Sequence, residues 1–138
     1  MHHSETQRRL AVAVAIVTCA SSAGAHAGLF PAHLREAPAL GWSFAVSVVA
    51  LVAVAGILTA RPDLRPGALL AALLLGALIA AWVAATTTGL PGLQPDPEPV
   101  DAVAVATKCV EAVGLAFALV LVKPDGGRRS PTIEEEPR

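Results

Sequence analysis

Two sets of ionisable residues in this sequence have the types and spacing to do chemistry: His26, His33 and Glu36 in its first third, and Asp101, Lys108 and Glu111 in its last. On a helix at 100° per residue, Lys108 falls about 20° and Glu111 about 80° from Asp101, so all three share one face. Lys108 and Glu111 are three residues apart and near enough to pair. The pair has two readings. Either it neutralises itself and fixes how its helix docks, or Glu111 is a carboxylate that handles a proton or an ion. Asp101 by itself suits the first turn of a helix, where a carboxylate complements the macrodipole. In the other set, a short helix starting at Pro31 would put His33 and Glu36 on one face at i, i+3. Imidazole with carboxylate at that spacing suits a transition-metal ion, and His26 could supply a third ligand. The same residues also suit a pH-responsive hydrogen-bonded cluster, or plain interfacial structure.

The elements that must position these groups are four apolar stretches, at about 10–27, 41–60, 67–88 and 100–122. Crossing a bilayer's hydrocarbon core takes about 20 helical residues, so each stretch has spanning length. The chain is 54% apolar, only 15% charged, and has a mean hydropathy of +0.61, whereas soluble domains carry about 25% charged residues. The expected fold is all-α, a four-transmembrane-helix bundle over 10–122, between an N-terminal tail (1–9) and a disordered tail (123–138). Glu111 then lies about ten residues, or about 15 Å, along the last helix, near the membrane centre, where an ionisable group calls for a partner or a watery cavity.

Basic residues set the orientation. Arg8 and Arg9 precede the first span, Arg61 and Arg65 join the second to the third, and Lys123, Arg128 and Arg129 follow the fourth. The connector between the third and fourth spans has Asp96 and Glu98 and no basic residue. Both termini are therefore expected in the cytoplasm of a plasma-membrane protein, with the cluster facing outward. Residues 1–27 also read as a secretory signal, with Arg8 and Arg9 before an apolar run and Ala23-Gly24-Ala25 or Ala25-His26-Ala27 as a cleavage site; retention as the first helix is the reading adopted. Pro66 can open the third helix and Gly89 can end it. The proline-rich connector from Leu90 to Pro99 is expected to be extended and stiff. Ala68, Ala72, Gly76, Ala80 and Ala84 recur every four residues, a strip of small side chains that allows close helix approach within the bundle or between copies.

The pattern Phe30-Pro31-Ala32-His33-Leu34-Arg35-Glu36, then Thr87-Thr88-Gly89-Leu90-Pro91-Gly92, then Glu98-Pro99-Val100-Asp101 with Thr107-Lys108 and Glu111 resembles uncharacterised small four-helix integral membrane proteins of high-GC actinobacteria. The resemblance spans roughly residues 10–122. It implies the topology and the choice of residues, and no reaction.

The functional expectation is a multi-pass membrane protein with an outward-facing His/Glu/Asp/Lys cluster that binds or transfers a proton or a metal ion. The alternative is a non-catalytic subunit or assembly factor of a membrane complex. No hydrolase, kinase, dinucleotide-binding or zincin motif occurs, so no enzyme is expected. The expected cofactor, if any, is a transition-metal ion. The expected partners are the lipid bilayer and a homo-oligomer or larger membrane complex. Nucleic acid is not among them, because no basic stripe is present to neutralise phosphates.

Overall fold

Four helices account for nearly all of the described chain: α1 (His2–Glu36), α2 (Pro38–Ala60), α3 (Arg65–Thr87) and α4 (Ala102–Val122). The structure is a computed structural model and describes residues 2–123, with side chains from residue 5 onward. The tail after Lys123 lies outside the described residues. α2, α3 and α4 have 23, 23 and 21 residues, each enough to cross about 30 Å of hydrocarbon at 1.5 Å per residue.

The breaks between helices follow from local chemistry. Pro38 sits at the start of α2, and the extended Ala37 before it (φ −142°, ψ 88°) is the conformation a following proline imposes. The second helix doubles back so tightly that Gly41 rests on the Leu34 backbone, where a Cβ would collide. Pro66 lies in the first turn of α3. Thr88 caps that helix's C-terminus and Gly89 follows at φ +72°, the left-handed position glycine takes most readily. Asp101 caps α4, its carboxylate accepting from the Ala104 N–H at 2.8 Å.

Two segments differ from the sequence expectation. α1 begins at His2 and runs through Pro31 to Glu36, so His33 and Glu36 belong to the first helix rather than to a separate interfacial one. Pro31 costs α1 a hydrogen bond without ending it; the break comes instead at Ala37-Pro38. The connector after α3 is not extended. Gly89 and Gly92, both at positive φ, let it turn, with Leu93 and Gln94 N–H donating to the Leu90 carbonyl at 3.0 and 2.8 Å. Glu98 N–H then donates to Ala85 O at 2.9 Å, which lays the connector back on α3.

The helices form a ring in chain order. α1 packs along α2 and α4, α3 packs against α4 and more lightly against α2, and α1 and α3 meet only slightly across the middle. The inside of α1 is a row of small residues, of which Ala15, Cys19 and Ala23 join Leu51, Val54 and Leu58 of α2, Ala71 and Leu75 of α3, and Ala118 of α4 in one core. Outside, Val46, Val49, Val52, Leu73, Val103 and Val120 are exposed, as suits side chains facing lipid. Of the small-residue strip on α3, Ala68 and Ala72 are buried, Gly76 and Ala84 half-buried and Ala80 exposed.

Candidate functional site

A buried polar chain joins the first and last helices. Thr18, Ser22 and His26 form one face of α1 at four-residue spacing, and all are buried. Opposite them, Gly114 leaves room for Thr18, whose side chain occupies the space a Cβ would need. One turn toward the start of α4 is Glu111, with no exposed surface. Its Oε1 accepts from Ser22 Oγ at 2.6 Å, and its Oε2 accepts from Lys108 Nζ at 2.7 Å. The carboxylate thus has a charged partner and a neutral donor, which is how such a group is tolerated away from water. His26 Nδ1 is 2.8 Å from the Ser22 carbonyl. A carbonyl only accepts, so Nδ1 carries the hydrogen and a neutral His26 keeps its lone pair on Nε2.

A second link closes one end of the bundle. His33 Nδ1 donates to Leu29 O at 3.0 Å, while its Nε2 lies 3.3 Å from Glu98 Oε1. Phe44 of α2 lies against both imidazoles, stacked on His33 at 4.5 Å between centroids and tilted against His26 at 5.2 Å.

Between these links is a cavity of about 280 Å³, reached by all four helices and the connector after α3. Leu29, Leu40, Phe44, Leu78, Trp82 and Leu93 supply apolar wall; His26, His33, Glu98, Asp101 and Lys108 are the ionisable residues that line it. Ser43, Ser47 and Thr107 also reach it, but their hydroxyls donate to the carbonyls of Leu40, Ser43 and Val103.

This arrangement corrects the expected site. His26, His33, Glu36, Asp101, Lys108 and Glu111 do not form an outward-facing cluster. Glu111 is buried and satisfied within the bundle, His26 is buried with its Nδ1 engaged by its own helix, His33 pairs with Glu98, Asp101 caps its helix, and Glu36 is exposed on the rim. His26, His33 and Glu36 are not a metal site: among the described residues, no group of three or more His, Cys, Asp or Glu side chains is placed to hold an ion. The physical reason is that each imidazole already spends Nδ1 on the carbonyl four residues earlier in α1, and His33 turns its other nitrogen toward the connector and away from Glu36. Thr86, Thr87 and Thr88 contribute no free hydroxyl donor either, since each donates to a carbonyl of its own helix.

Ser22, Phe44 and Glu98 are the residues that sequence reasoning passed over. Ser22 had a signal, being four residues before His26 and therefore on its face. Phe44 had none, and Glu98 was hidden by the expectation of an extended connector.

The fold and site together define a multi-pass helical membrane protein. The chain matches no family model, no curated protein and no solved structure. The comparisons therefore assign the chain to no family.

Proposed function

We propose that the protein binds a small, mainly apolar molecule in the cavity between its helices. The observation that carries this reading is an apolar-walled space of about 280 Å³, with Lys108 at one wall having spent a single N–H on Glu111. Ligand pockets are concave and mostly apolar with a few placed polar groups, and range over about 300–1,000 Å³. This cavity, at about 280 Å³, lies just below that range, which fits a ring-sized molecule and excludes a whole lipid. The orientation in this reading has both termini cytoplasmic in the plasma membrane. It is supported by Arg8, Arg9, Arg61, Arg65 and Lys123 gathering at one end of the bundle, while the cavity lies toward the other.

Trp82 lines the cavity, whereas Trp42 is 62% exposed, so a Trp42→Phe protein reports on the cavity through one indole. In lipid nanodiscs, bromobenzene, whose bromine quenches indole on contact, should quench Trp82 saturably. Adding Ala104→Phe, which fills the cavity from α4, should abolish the saturable part. Quenching that rises linearly, or is indifferent to Ala104→Phe, would refute the proposal.

A further inference from the structure

We infer that the molecule held in this cavity carries an uncharged hydroxyl as its polar head. This deepens the preceding reading and rests on it.

α2 and α3 bring no ionisable side chain to the cavity. From α4, Lys108 is paired with Glu111 behind it, and the two charges cancel. From α1 and the connector come His33 and Glu98. The Leu29 carbonyl takes the Nδ1 hydrogen of His33, so the contact from Nε2 to Oε1 needs one proton between them. Whether that proton makes an imidazolium beside a carboxylate or an imidazole beside a carboxylic acid, the pair sums to zero. Asp101 is engaged at the positive end of α4 and is exposed. No carboxylate touches His26, whose polar contacts are the Ser22 carbonyl and hydroxyl. Every charge at the inner end is thus answered within the protein. An ionic ligand would bring one that is not, and a lone charge in such a place is costly.

Hydrogen-bonding capacity, by contrast, is left over. An ammonium has three N–H donors, and Lys108 shows a partner for one among the described residues. His26 Nε2 has none there, and no fully buried side-chain nitrogen or oxygen lacks a partner, so Nε2 reaches the cavity. A donor on one side and an acceptor on the other call for a group that accepts and donates at once. A hydroxyl does both; a carbonyl only accepts.

The Trp42→Phe protein in nanodiscs separates the cases, using bromobenzene, 4-bromophenol, 4-bromobenzoate and 4-bromobenzylammonium at pH 7, with concentrations corrected for partition into protein-free nanodiscs. 4-Bromophenol should bind at least tenfold tighter than bromobenzene and at least tenfold tighter than either ion. The Lys108→Met/Glu111→Leu protein, which removes the donor without stranding a charge and leaves the His26 acceptor in place, should prefer 4-bromophenol over bromobenzene at least threefold less than the parent does. Either ion matching the phenol, a phenol no better than bromobenzene, or a preference undiminished by the double substitution would overturn the inference while leaving the cavity reading standing. If no compound quenches saturably, the cavity reading falls and the inference with it.

Discussion

Replacing Lys108 by methionine tests the buried polar chain most directly. The substitution keeps most of the apolar stem of the side chain and removes the ammonium, with its charge and its N–H donors. Glu111, with no exposed surface, would keep one partner, the Ser22 hydroxyl. Removing one member of a buried ion pair costs about 3–5 kcal/mol, because the other charge is left uncompensated. At about 1.4 kcal/mol per decade, that is roughly a hundredfold to a few thousandfold in the opening equilibrium. Cys19 supplies the assay: it has no exposed surface and sits in the core, whereas Cys109 is exposed and can be changed to serine. With fast opening and closing, maleimide labelling of Cys19 follows the population of the open bundle. Labelling of Lys108→Met should therefore accelerate by that factor. Lys108→Met/Glu111→Leu should return to within about 1 kcal/mol of the parent, since apolar replacement of a whole buried pair is often neutral or stabilising; the freed Ser22 hydroxyl can turn to the carbonyl four residues back. Glu111→Gln should cost less than Lys108→Met, because Lys108 faces the cavity and keeps access to water there. Acceleration below tenfold in Lys108→Met, or a double variant as unstable as the single, would refute the reasoning.

Two further outcomes follow from the packing and from the charge distribution. Gly114→Ala sets a methyl against Thr18 and should destabilise the bundle by about 1–3 kcal/mol, as overpacking does, while Gly76→Ala meets nothing within 4 Å and should be neutral or slightly stabilising; equal Cys19 labelling rates in the two variants would contradict this. In a chain whose own cysteines are replaced by serine, a cysteine at Asp96 should react with a membrane-impermeant maleimide on intact cells, and one at Asp63 only after lysis. The reverse pattern would invert the proposed orientation.

The last three spans were legible because hydrocarbon thickness fixes their length, and some of their ends because Pro66, Gly89 and Asp101 sit where helix termini want them. The Lys108–Glu111 pair was legible from three-residue spacing alone. What escaped was set by single backbone choices that composition does not encode. Pro31 reads as a start and is instead passed through, which carries His33 onto the first helix and Glu36 out to the rim. Two glycines at positive φ fold a connector that its prolines suggest is straight, and only that fold brings Glu98 to His33. The metal reading counted ligand types at a helical spacing, without asking which acceptors in the same helix would claim the imidazole hydrogens first.

The bond from Ser22 to Glu111 spans 89 residues of chain and ties α1 to α4. During synthesis α1 must wait in the bilayer without its partner across the bundle until α4 arrives. Closure of the ring is thus a late, all-at-once event, and a nascent chain halted before the fourth span would carry an open seam along the first.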